Sequence, residues 1–264
     1  MAWQAHGRSV LCCSAPSYGT RAGRANPAAS ELDRHGASQF DRKKGVREHH
    51  MTVSRQLQIF VGLALSLGVA LLPLGSWGKT YSGLGSLLGG EVLWWIAVVV
   101  ILFYVVLVER RPLSSIGLRK PSATTLLIGA GTGVLMVVGV VTIFFIVFPM
   151  LHLTANKAQM DSILSTPLWY RVLLVTRAAV AEEVLFRGYP IERIREWTGN
   201  RWIAALISVV AFTYAHLSSW GAPQLLVAGF GGILLTALYL WRRNLWANML
   251  AHWIADGAGF LLSH

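Results

Sequence analysis

The chain of 264 residues is 54% hydrophobic and only 13% charged, with a formal net charge of +11 and a mean hydropathy of +0.52. A soluble domain carries about 25% charged residues, so the composition excludes an ordinary soluble fold and points to an integral membrane protein. The basic residues fall in short clusters between apolar stretches, not along one face or tail, which marks membrane topology and argues against a nucleic-acid partner.

Residues 1–50 are rich in Arg, Ser, Gly and His, carry no apolar periodicity and are expected to form a disordered extension. A start of translation at Met51, which leads straight into the first apolar run, fits equally well. The adjacent Cys12 and Cys13 imply neither a disulfide framework nor a metal site. About seven apolar runs follow, at 57–74, 92–108, 125–148, 169–186, 202–216, 223–241 and 245–262. Each is near the ~20 residues that cross a hydrocarbon core, although the fifth is short. The expected fold of 51–264 is therefore an all-α, polytopic transmembrane helical bundle of about seven spans.

Charge in the links alternates. Arg55 precedes the first run; the links near 110–120, 193–201 and 242–243 hold arginines and lysines, whereas the intervening ones hold Lys79 and Glu91, then Lys157 and Asp161, then none. By the positive-inside rule the N-terminus and the basic links are cytoplasmic and the C-terminus lies outside. Tryptophans near run ends, such as Trp94, Trp95, Trp169, Trp241 and Trp246, read as interfacial anchors, and the glycines of 229–232 as close-packing positions.

Beyond residue 50 there are only eight acidic residues, and two are neighbours at the end of the fourth run, in Ala181-Glu-Glu-Val-Leu-Phe-Arg-Gly-Tyr-Pro190. In a helix Glu183 and Arg187 stand at i,i+4 and can pair, while Glu182 points about 100° away and is left for another task. Arg177, within the same run, is a candidate second cation. His216 lies in a further run, and His252 and Asp256 share one face of the last, with Asn248 one turn earlier. Ionisable groups in a bilayer face the bundle interior and pair, so these residues are expected to converge on one cavity. At 1.5 Å per residue His216 lies about 21 Å from the start of its run, and the glutamates reach a similar depth only if their helix continues through Ile191 to a stop near Gly199–Asn200. A helix of nearly thirty residues is therefore expected, with Pro190 as a point of bending.

A carboxylate and a neutral imidazole in a low dielectric can activate water, and a second imidazole with a polar neighbour can donate to a developing oxyanion. Water attack on a carbonyl is the natural reaction. Glu182, His216, His252 and Asp256 are also acceptable ligands for a divalent metal such as Zn, and the spacing does not choose between the two.

The three elements Glu182-Glu183-x-x-x-Arg187, Phe212-x-x-x-His216 and His252-x-x-x-Asp256, in that order, resemble the CPBP intramembrane protease family, which includes the type II CAAX prenyl endopeptidases and proteins linked to bacteriocin processing and immunity. The likeness covers about residues 109–262 and extends to Leu113-Ser-Ser-Ile-Gly-Leu-Arg119 and Phe186-Arg-Gly188. It implies an intramembrane endopeptidase acting near the cytoplasmic face of a bacterial plasma membrane on a peptide or membrane-protein substrate. Glu182 and His216 would activate water, His252 and the residue four later would stabilise the oxyanion, and Glu183 with Arg187 would hold the helix and the first glutamate. The chain departs at Asp256, where the prenyl endopeptidases have asparagine: an ionised Asp cannot donate, so it must be protonated, orient His252 or bind a metal. A non-proteolytic scaffold or immunity factor, and a small proton-coupled transporter, are the rival readings.

Overall fold

The computed structural model describes residues 53–72 and 84–262, which lie in one unit spanning Thr52–His264. The expectations for residues 1–50, the alternative start at Met51, and Lys79 fall outside the described residues. The described chain forms eight helices and no strand: α1 (53–71), α2 (84–108), α3 (Ala123–Met150), α4 (Lys157–Leu164), α5 (168–198), α6 (Arg201–Trp220, interrupted at His216), α7 (Leu225–Arg242) and α8 (Leu245–Phe260). Side chains of Ser122, Asn156, Asn200 and Asn244 each accept from a backbone N–H in the first turn of α3, α4, α6 and α8, at 2.8–3.1 Å, so polar residues in the links set where helices begin.

Four helical stretches are long and apolar enough to cross a membrane by themselves: Leu88–Val108, Ala123–Met150, Arg201–Trp220 and Ala222–Arg242. The fifth run, short in the sequence, gains the length of a span from the turn Leu217–Trp220 beyond His216. Helix α8 has only 16 residues, and α5 is long but charged. Both are enclosed by other helices, α8 by α3, α5 and α7. Backbone closeness makes this possible: a Cβ on Gly129 or Gly133 of α3 would stand 2.9–3.1 Å from the Cα of Ala247 or Ala251 of α8. Small residues on both sides thus bring the two helices together. Of the 229–232 glycines, Gly232 and Gly231 do lie against Phe212 and Met136, but Gly229 is looser.

The long helix runs to Thr198 and ends on Gly199 in the left-handed conformation (φ 68°). Pro190 does more than bend it. A proline in a helix loses one N–H and presses on the carbonyl four residues back, here that of Phe186. The chain answers with a π-turn over Glu183–Gly188, and Ser208 of α6 donates its hydroxyl to the Phe186 carbonyl at 2.8 Å. Ser66 of α1 does the same for Leu185 at 2.7 Å. The widened turn carries the paired-glutamate motif, so the segment bearing Glu183 and Arg187 is the one whose backbone is tied to two neighbouring helices.

Candidate active site

Glu182 and Glu183 leave α5 in different directions, as the helical phase requires. Glu183 and Arg187 are wholly buried and pair at 2.8 Å. Asn248 donates to the second oxygen of Glu183 at 3.0 Å and to the Leu235 carbonyl at 2.7 Å, and Nδ1 of His252 lies 2.9 Å from Glu183 Oε1. Glu183 is therefore a buried anchor fixing His252 and Asn248 on α8. It does not line the cavity on which the ionisable residues were expected to converge, and its own bonds go to Arg187, Asn248 and His252, not to Glu182. The Arg187 guanidinium lies 3.8 Å from the centre of the Phe212 ring, whose other neighbours include the His216 and His252 rings at 4.7 and 6.1 Å. Phe212 thus packs against Arg187 of the anchor and against both imidazoles, and separates Arg187 from His216.

Glu182 faces a cavity of about 470 Å³. Arg177, five residues earlier, reaches it through Nη1 at 3.4 Å and is itself held by Glu91 of α2 at 2.9 Å. Tyr170 donates to Glu91 at 3.4 Å, and Trp94 lies 5.2 Å below the guanidinium. Two features of α2 differ from expectation. Glu91 is buried inside the helix and not in a link, because the span begins at Leu88, and Trp94 packs in the cavity wall and not at an interface. Of the other expected anchors, Trp169, Trp241 and Trp246 are exposed on the outside of the bundle.

Glu182 Oε2 is buried without a hydrogen-bond partner and lies 4.0 Å from His216 Nε2. His216 Nδ1 is 2.8 Å from the Phe212 carbonyl, which can only accept, so that nitrogen carries a proton, and in the neutral ring Nε2 presents a lone pair. A water oxygen about 2.8 Å from both acceptors would subtend an angle of roughly 90°, close to its own bond angle, and would donate both protons. Its lone pairs would then face the cavity. On the opposite side His252 Nε2 is 3.5 Å from Asp256 Oδ2, and both residues line the same cavity. Carboxylates accept only, so an imidazole between Glu183 and Asp256 satisfies both by donating from each nitrogen.

Among the described residues no three His, Cys, Asp or Glu side chains form a group that could hold a metal ion. His252 has a carboxylate on each nitrogen, and Glu182 with His216 makes a pair, not a triad. This donor set does not fit the zinc centre that the residue types alone allowed.

The cavity lies at one end of the bundle. Its wall is built from Glu91 and Trp94 near the start of α2, Tyr170 to Glu182 on α5, the last turns of α6 and α8, the start of α7, and α4. These are the ends opposite the basic links at 109–120, 199–201 and 242–244. The cavity thus lies away from the face that bears the basic links, where the sequence reading expected the chemistry.

The molecule is a polytopic helical membrane protein with a carboxylate and imidazole site enclosed in its bundle. Residues 164–258 match the family model described as type II CAAX prenyl endopeptidase, Rce1-like, which supports the resemblance to the CPBP intramembrane protease family. The match is narrower than the 109–262 of the sequence resemblance, yet it contains Glu182, Glu183, Arg187, His216, His252 and Asp256, and omits Glu91. No curated protein and no solved structure matches the chain.

Proposed function

We propose that the protein is an intramembrane endopeptidase that hydrolyses a peptide bond with water activated by Glu182 and His216. One observation supports this above the others: the unpartnered Glu182 oxygen, at 4.0 Å from an acceptor nitrogen of His216, faces a cavity large enough for a peptide segment. In this reading water gives one proton to Glu182 as its oxygen attacks the carbonyl carbon, and the Nε2–H of His252, released from its long contact with Asp256 when substrate binds, stabilises the oxyanion. The proton then passes to the leaving amine as the carbon–nitrogen bond breaks. Before substrate binds, Asp256 accepts from the same Nε2–H and orients the ring, a role that accommodates aspartate where the prenyl endopeptidases have asparagine. Arg177, set by Glu91, holds the other oxygen of Glu182 and so directs Oε2 toward His216. The chemistry is that of the side chains; a zinc content near one per chain, lost with activity on chelation, would overturn that part.

The N-terminus and basic links are assigned to the cytoplasm, with the C-terminus outside, on the charge distribution. The substrate class is a polypeptide in or beside the bilayer. The test is to map new peptide termini in membranes carrying the wild-type chain or Glu182→Ala at equal abundance. Cleavage products are expected only with the wild type; the same products from both would sink the peptidase reading and favour a binding role for the fold.

A further inference from the structure

The same charge pattern that orients the chain, combined with the position of the cavity, decides from which side a substrate enters. His216 lies about 22 Å from the start of α6 but only about 6 Å from Trp220 at its other end, and Asp256 lies about 16 Å from Leu245 but about 6 Å from Phe260, at 1.5 Å per residue. Exposed Ser162, Ser218 and Ser219 share the cavity wall with Glu182 and His216, so the wall reaches the surface at that end.

Toward the basic end the way is closed. Glu183–Arg187 and Glu109–Arg193 are buried ion pairs, Glu192–Arg243 is a partly exposed one, and Phe186, Tyr189 and Tyr239 are fully buried among them. A peptide arriving from there would have to break charge pairs that cost several kcal/mol each to separate. Lys and Arg, not net charge, set orientation, and they concentrate at this closed end, whereas the described links at the open end hold only Lys157 and the marginal Arg171.

We infer that the cavity is entered from the extracytoplasmic face, and that the substrate is a polypeptide segment presented there after translocation, such as an exported peptide or the outer juxtamembrane stretch of a membrane protein. This rests on the peptidase reading for the word substrate, but the sidedness stands on the cavity and the charges alone. A cytosolic C-terminal peptide is thereby a poor candidate for this chain, whatever is cleaved by proteins it resembles.

The inference is tested by accessibility in the full chain with Cys12 and Cys13 replaced by serine. Ser162→Cys and Ser218→Cys report the cavity mouth, and Ser114→Cys, exposed in the 109–122 link, reports the basic end. In intact cells a membrane-impermeant maleimide is expected to label the first two as fully as after permeabilisation, and Ser114→Cys only after permeabilisation. Labelling of Ser114→Cys in intact cells, or of the mouth positions only after permeabilisation, would overturn the inference. The readout after permeabilisation shows that each variant is folded into the membrane and reactive. Failure of the peptidase reading would show differently, as unchanged cleavage by Glu182→Ala with the labelling pattern intact.

Discussion

The two ends of this bundle differ in how completely their buried carboxylates are paired: at the cavity end Glu91 is held by Arg177 and Tyr170 but Glu182 is not fully paired. At the basic end every described acidic side chain is saturated. Glu109 meets Arg193 at 2.8 Å, Tyr189 at 3.0 Å and Arg55 at 3.2 Å, Glu192 meets Arg243, Arg195 and Tyr239, and Glu196 meets Arg55 and Arg111. At the cavity end Glu182 has one oxygen on Arg177 and the other on nothing. Since an unsatisfied buried acceptor is costly, the unsaturated carboxylate is the one whose presence stability does not explain. Charge alone does not separate a structural glutamate from a working one; completeness of pairing does.

That contrast can be broken by substitution, and the expected effects differ in kind. The largest is on activity: Glu182→Gln should lower cleavage by roughly 10²–10⁴-fold, the range for loss of a general base, with thermal stability close to wild type. Next in size, Arg177→Gln should lower activity by about 10²-fold through misplacement of Glu182, and Glu91→Gln, which leaves the arginine partly held, by less. A fall in kcat with KM little changed is the sign of positioning, and an equal loss of protein abundance would mean that Glu91 and Arg177 merely hold the fold.

At the saturated end the effects should be on stability. Glu109→Ala should destabilise the protein by roughly 3–5 kcal/mol, because it strands Arg193 in the interior, and unfolding in detergent would measure it. Among the anchors of the π-turn, Ser208→Ala should cost about 1 kcal/mol, the net value of one buried hydrogen bond, with activity retained. A Ser208→Ala protein as stable as wild type would show that the Phe186 carbonyl finds another donor.

Much of the site was legible in the sequence because helical spacing is itself geometry. The i,i+4 relations placed Glu183 on Arg187, His252 beside Asp256 and Asn248 on the same stripe, and the depth argument required the long α5, ending where Gly199 permits a left-handed turn. Contacts between helices distant in sequence were not legible in this way. Glu91 sits at the edge of an apolar run, where a hydropathy reading assigns it to a link, and nothing in its own helix reveals the arginine on α5 that buries it. Phe212 was legible only as the first residue of the Phe212-x-x-x-His216 element, and nothing in that spacing shows that three site side chains pack on its ring. A charged residue close to a run boundary, opposite an unexplained intramembrane arginine, is the signal that would have paired them. The position of the cavity was also present in the numbers, since a depth of about 20 Å from the basic edge already lies past the middle of a ~30 Å core.

The most direct test compares Glu182→Gln with Glu109→Gln, produced at equal levels in the same membranes, for cleavage and for thermal unfolding together. The account predicts that Glu182→Gln unfolds like the wild type and cleaves at least about 10²-fold more slowly, while Glu109→Gln unfolds at a lower temperature and still cleaves at temperatures where it is folded. Cleavage by Glu182→Gln at a rate near that of the wild type, with the protein folded, would contradict it.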